Sequence, residues 1–314
     1  MRVFGSYIVD GLSRLFRFNS YSLDENVFSA MFYVAGLNPN YWQQDQASDT
    51  KLFRRVRWSE GMGMCVGLKQ DSLYRYMIAK WVYGYSLPLE ILGRLGVQKG
   101  SLLVLFGSGM GLTALHAAKR FGCYVVGVEK DRFLVQYSKK KAKDENMTDR
   151  VDFIHITDKD FLSKILPEFV FYESILSFLP NKLDILSMYV SSAKRIGVLE
   201  LSWLRHNVPN DKREVLMSIF GRDASFMHVD AWLKLFHVIR LEVLEGGVRT
   251  IGLANKFWDD LRVEPLETII GIVKTAHKIF TDLTARKYMT SFINFLRQYS
   301  NDLACAYYIL RPLS

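Results

Sequence analysis

At 314 residues and 36.3 kDa the chain has room for one large domain or two ordinary ones, since a domain takes ~100–200 residues. Its 49% hydrophobic and 23% charged content, with 21 Gly and 7 Pro, excludes collagen-like, low-complexity and disordered chains. The formal charge of +9 favours an anionic partner, yet Lys and Arg are scattered, and the densest runs (Lys51, Arg54, Arg55, Arg57 and Lys139, Lys140, Lys141, Lys143) read as solvated faces.

The most apolar stretch, Leu102 to Ala118, is interrupted by Gly107, Ser108, Gly109, Gly111, Thr113 and His116, so no transmembrane helix is expected. The first 18 residues carry Arg2, Asp10, Arg14 and Arg17 and lack a small-residue cleavage site. They read as a helix packed through Ile8, Val9, Leu12, Leu15 and Phe16 rather than as a signal peptide. Cys65, Cys123 and Cys305 are odd in number and far apart, without the paired spacing that clamps zinc; no metal site is expected, and a reducing cytoplasm fits best.

In chain order, residues 1–98 read as helical, with apolar periods such as Val27, Phe28, Met31, Phe32 and Leu73, Tyr76, Met77, Trp81. Residues 99–255 alternate strands with helices. Leu102–Phe106, Tyr124–Val128, Val151–Ile156, Phe169–Tyr172 and Ile196–Leu201 are strand-length apolar runs, the pattern of a doubly wound parallel sheet covered on both faces. Between the first two runs, Leu112, Leu115, Ala118 and Phe121 recur at helical spacing and Gly122 stands as a stop. An extended stretch follows at about Val238 to Leu253. Residues 256–302 are periodic again (Ile269, Ile272, Val273, Ala276, Ile279, Phe280), and Ala304 to Leu310, within 303–314, reads as a last strand interrupted by this helical insertion.

The segment carrying chemistry is Leu102 to Asp131. A strand runs into Gly107, Ser108, Gly109, Met110, Gly111 and then a helix, which turns backbone N–H groups and the positive end of a helix toward whatever sits above the sheet. Glu129 ends the next strand, where a carboxylate can accept both hydroxyls of a ribose. The third glycine comes one residue early for a dinucleotide fingerprint, and no Lys-Ser/Thr pair follows to hold a triphosphate, so NAD and ATP fall behind another adenosine-containing cofactor.

On these residues the sequence resembles the class I S-adenosylmethionine-dependent methyltransferases, small-molecule type with a helical lid, over about residues 70–255 and 304–310. The resemblance implies a seven-stranded, mostly parallel, Rossmann-like α/β sheet with N-terminal helices and a helical lid before the last strand, and S-adenosylmethionine as cofactor. It implies that Gly107, Ser108, Gly109, Met110 and Gly111 hold the methionine part, that Glu129 and Lys130 meet the ribose, and that Thr157 or Asp158 lies beside the adenine. Glu168 stands in the usual Asp position of the fourth-strand motif, with Tyr172 to Ser174 lining the pocket, and Glu200 and Trp203 match the end of the fifth strand. Two departures stand out: Leu105 replaces an acid two residues before the first glycine, and Lys194, Arg195, Ile196 and Gly197 replace a Pro-Gly-Gly.

The function read from this is methyl transfer to a small-molecule or lipid-like acceptor by in-line displacement, which needs alignment more than a catalytic triad. Glu173, at a predicted strand end, is the expected catalytic group, as proton acceptor. His155 and His206 are weaker candidates, His155 reading more readily as a structural histidine within its strand, and Trp81 joins Tyr172 and Trp203 as candidate pocket wall. Two other readings stand beside it: an RNA methyltransferase, suggested by the +9 charge, and a degenerate cofactor-binding or interaction protein, suggested by Leu105.

Overall fold

A computed structural model describes residues 86–214, 224–251, 258, 261, 269 and 297–313. The chain divides into two compact units: Tyr85–Pro209 with Arg222–Thr250 and Asn301–Ser314, and Met1–Gly84 with Asn210–Gly221 and Ile251–Ser300. Most of the second unit, including the expected N-terminal helices, the 256–302 insertion, Trp81, Cys65 and the 51–57 basic run, lies outside the described residues. Within that unit, the Tyr299 hydroxyl donates to the Lys212 carbonyl at 3.4 Å.

In the first unit the elements run α1 (Ser86–Leu95), β1 (Leu102–Phe106), α2 (Leu112–Phe121), β2 (Tyr124–Glu129), α3 (Arg132–Asp144), β3 (Val151–His155), α4 (Lys159–Lys164), β4 (Phe169–Glu173), α5 (Lys182–Ser187), β5 (Arg195–Trp203), α6 (Val229–Val238), β6 (Leu241–Thr250) and β7 (Leu303–Pro312). They form one seven-stranded sheet in the order β3-β2-β1-β4-β5-β7-β6. The first five strands in this order are parallel, and β7 pairs antiparallel with both β5 and β6. The expected strands are present, and the doubly wound architecture with them. The extended stretch begins later than Val238, because Trp232 and Phe236, one helical turn apart, are buried and hold Val229–Val238 as α6.

The core of the sheet is built in cross-strand rows. Register places Phe153, Gly127, Leu105, Phe171 and Gly197 side by side across β3, β2, β1, β4 and β5, on one face. The row alternates rings with gaps. A Cβ added to Gly127 would lie 2.4 Å from Phe153 Cδ1, and one added to Gly197 would lie 2.9 Å from Phe171 Cδ2. Each glycine is therefore the slot for its neighbour's ring. Leu105, fully buried between them, is an apolar member of this row, where a carboxyl group would carry the cost of desolvation among hydrocarbon. The opposite face carries Phe106 stacked on Tyr172, centroids 4.9 Å apart, over Tyr189 and α5.

Candidate functional site

The strand order reverses beside β1, whose two neighbours β2 and β4 connect to opposite halves of the sheet, and in open α/β sheets ligands bind at such a switch point, beyond the carboxyl ends of the strands. The turn from β1 into α2 occupies that position. Gly107, Gly109 and Gly111 all have positive φ (77°, 57° and 81°), a conformation in which a Cβ is strained. The turn is anchored below, Gly107 N and Ser108 N both donating to the Val128 carbonyl. Gly111 also carries a packing constraint, since a Cβ there would meet Phe153 Cζ at 2.6 Å.

Two buried carboxylates bracket this turn. Glu129 and Glu173 end the strands on either side of β1, in the row beyond Leu105, and point to the same face. Glu129 Oε2 accepts from Gly109 N at 2.8 Å and Oε1 from Lys130 N at 2.7 Å and Asp131 N at 3.3 Å. Glu173 Oε1 accepts from the Thr113 hydroxyl, in the first turn of α2, at 3.0 Å. The positive end of a helix thus faces two acids, one bonded to its preceding loop and one to its first turn. Ser174, directly after Glu173, is a non-glycine residue at φ 48°, and its N–H donates to Leu199 O at 2.8 Å, so the backbone turns sharply at the crevice.

The other sequence candidates separate. Ser108 and Met110 are buried within the glycine turn. Lys130 follows Glu129 and places its ammonium 5.7 Å over the Phe178 ring. Thr157 and Asp158 are exposed beyond β3, where the Asp158 side chain caps α4 by accepting from Phe161 N. His155 bridges β2 and β3: Nε2 donates to the Lys130 carbonyl at 2.8 Å and Nδ1 takes the Thr157 hydroxyl at 2.6 Å. With both nitrogens engaged it is a structural histidine. Tyr172 lies on the far face, fully buried, donating to Ile185 O at 2.7 Å, and burial pushes its phenol far above the ordinary value. Adjacent strand residues point to opposite faces, so Tyr172 and Glu173 do not line one pocket. Glu168 sits at the amino end of β4 paired with Lys194 at 2.7 Å, which lowers its pKa, away from the crevice. Trp203 is buried at the end of β5.

No protein-family model matches the chain. Over 59 residues it is 34% identical to sterol 24-C-methyltransferase of Saccharomyces cerevisiae, a match spanning 19% of this chain and 15% of the yeast protein. Solved structures match more widely. Phosphoethanolamine N-methyltransferase 2 of Haemonchus contortus, in complex with S-adenosyl-L-methionine, is similar at TM-score 0.57 and 14% identity, over 86% of this chain and 61% of that one. A methyltransferase of Thiobacillus denitrificans in complex with S-adenosyl-L-homocysteine is similar at 0.51 and 12%, over 85% of this chain and 100% of that one. The fold is that of the S-adenosylmethionine-dependent methyltransferases. The cyclase SpnF shares it at TM-score 0.51 and 14% identity, over 73% of this chain and 81% of its own, so this fold carries more than one chemistry.

One element of this methyltransferase fold takes on a role that the sequence left undefined. Glu200, on β5, is fully buried, with Oε1 accepting from Ile175 N at 2.8 Å and Leu176 N at 2.7 Å, and Oε2 from Ser177 N at 3.3 Å. It pins the loop after β4 as Glu129 pins the loop after β1. Burial pushes its carboxyl up to about 7, against the amides that favour the ion. The cue was a charged residue inside an otherwise apolar strand; its partners lie 23 to 25 residues upstream, beyond the reach of local pattern. In α3, Lys139, Lys140 and Lys141 pair with Asp152, Asp144 and Glu145, so that run is laced with acids.

Proposed function

We propose that the chain is an S-adenosylmethionine-dependent methyltransferase acting on a small or lipid-like acceptor. The observation that carries this is the glycine turn at the switch point with Glu129 tied to the Gly109 amide. The residues fit the cofactor: three positive-φ glycines admit close backbone approach, and Ser108 Oγ is a buried hydroxyl with no hydrogen-bond partner among the described residues. Gly107 to Gly111 would hold the amino-acid end, Glu129 and Lys130 the ribose, and Thr157 or Asp158 the adenine.

S-adenosylmethionine, when bound, would supply a methyl group activated on a sulfonium. The protein's part is alignment, worth ~7–11 kcal/mol of barrier when two reactants are held in register. Glu173 takes the acceptor's proton, and the Thr113 hydroxyl on Oε1 fixes the orientation of its carboxylate. Phe178 and Phe226, edge-to-face at 5.9 Å beside Lys130, support an apolar acceptor, in keeping with the geranyl diphosphate methyltransferase among the similar structures.

Calorimetric titration with S-adenosylmethionine and S-adenosylhomocysteine tests this: binding to the wild-type chain, weakened more than tenfold in Glu129→Ala, is expected, and no binding of either compound overturns the reading. A panel of prenyl diphosphates, sterols, phospho-amines and RNA with methyl-labelled cofactor then identifies the acceptor. A second reading, cofactor binding without methyl transfer, is favoured by Leu105 and by the cyclase that shares the fold. Its mark is saturable cofactor binding with no acceptor methylated.

A further inference from the structure

Beyond the carboxyl end of β5, three side chains outside the glycine site converge. His206 Nε2 lies 3.1 Å from Asp230 Oδ2, His228 Nδ1 lies 3.6 Å from the same oxygen, and the ligand-capable atoms of all three fall within 4.8 Å of one another. Ligand atoms of a tetrahedral ion with bonds of ~2.0–2.1 Å stand ~3.3 Å apart, a value those two distances bracket. The tautomer is also set. His228 Nε2 is 3.2 Å from the Leu204 carbonyl, which accepts and cannot donate, so Nε2 carries the proton, and the Nδ1 lone pair accepts from the Asp230 N–H at 3.1 Å, a helix-capping bond that an ion would displace. A ligating histidine commonly donates its second nitrogen to a backbone carbonyl in this way. The two imidazoles stack at 3.7 Å and 25°; their lone pairs lie in the ring planes, so joint ligation has the exposed His206 ring turn out of the stack. The neighbouring cation, Arg205, is already paired with Asp302 at 3.1 Å.

We infer that His206, His228 and Asp230 form a site for an imidazole-preferring divalent transition ion, zinc above all, with an open fourth position for water or another oxygen ligand. The donor set of two neutral imidazoles and one carboxylate suits such ions and not Mg²⁺ or Ca²⁺, which take oxygen. The ion would work against the positive end of α6, and the Asp230 charge offsets that cost. The result is a clasp between the turn after β5 and the start of α6. The inference is independent of methyl transfer, since it concerns metal binding alone.

The test uses the full chain, stripped with chelator and titrated with Zn²⁺ by calorimetry and with Co²⁺ by visible absorption. The expected result is one ion per chain, a tetrahedral Co²⁺ spectrum with nitrogen and oxygen ligands, and a higher melting temperature with Zn²⁺. His206→Ala and Asp230→Asn, both at exposed side chains, each weaken Zn²⁺ binding more than about tenfold, because even a lost supporting hydrogen bond costs a metal site ~10–100-fold. His237→Ala, an exposed histidine of the same helix outside the cluster, leaves binding unchanged. Zn²⁺ affinity equal in wild type, His206→Ala and Asp230→Asn overturns the proposal, as does no binding at 100 µM Zn²⁺.

Discussion

The loops after β1 and after β4 solve one problem in two ways. Both follow a central parallel strand, both lie at the carboxyl edge of the sheet, and both are held by a buried glutamate accepting backbone amides. After β1 the chain spends three positive-φ glycines, and the acid that holds it comes from the adjacent strand β2. After β4 it uses Ile175, Leu176 and Ser177, all buried, and the acid comes from the adjacent strand β5. The first loop is stripped of side chains where a ligand would approach, and the second is filled with them. A buried carboxylate on backbone amides is thus a structural device in both places, and under the proposed function it is the bare backbone that marks the loop for a ligand.

The largest effect on this contrast should come from Glu200→Ala, which leaves three buried amides without their acceptor; a loss of about 3–4 kcal/mol in urea unfolding is expected, since each orphaned buried group costs ~1–3 kcal/mol and the costs do not add fully. Next, Gly127→Ala drives a Cβ to 2.4 Å from the Phe153 ring and should cost about 2–3 kcal/mol, part of which Phe153→Leu in the same chain should restore.

The strand–glycine–helix–strand stretch was legible because β1, Gly107 to Gly111, α2 and Glu129 are contiguous in sequence, so turn chemistry and hydrophobic period act together. Leu105 read as a departure and proves to be a packing member, because its reason lies in Gly127 and Phe171 on other strands. The resemblance puts Tyr172 in the pocket beside Glu173, but strand parity sends its ring to the opposite face, where it donates to Ile185 O. The grip of Glu200 on residues 175–177 and the meeting of His206 with His228 depend on chain returning from a distance, which no local period encodes.

The pH response should sharpen the contrast further. Because the folded chain holds the Glu200 carboxyl near 7, above its ordinary 4.5, the native state binds that proton more tightly than the unfolded chain. Its contribution to stability is fully present below pH 4.5 and is lost as pH rises through 7, a change on the order of 3 kcal/mol. Melting temperatures between pH 4.5 and 8 should show that slope in wild type and a flatter one in Glu200→Gln. Under the proposed function, Glu173→Gln should lower turnover about 100-fold while cofactor affinity stays within about twofold. The smallest effect belongs to the surface: Arg94→Ala, which removes exposed pairs to Glu90 and Glu245, should change stability by at most about 0.5 kcal/mol.

The alternating ring-and-gap row also acts as a check on strand alignment. If β2 slid by two positions against β3, Val125 or Glu129 would stand where Gly127 leaves a hollow, and the Phe153 ring would collide with a side chain instead of settling into space. Misaligned pairings of β2 with β3 are in this way disfavoured, and the alignment that fits the ring keeps Glu129 at the strand tip opposite His155.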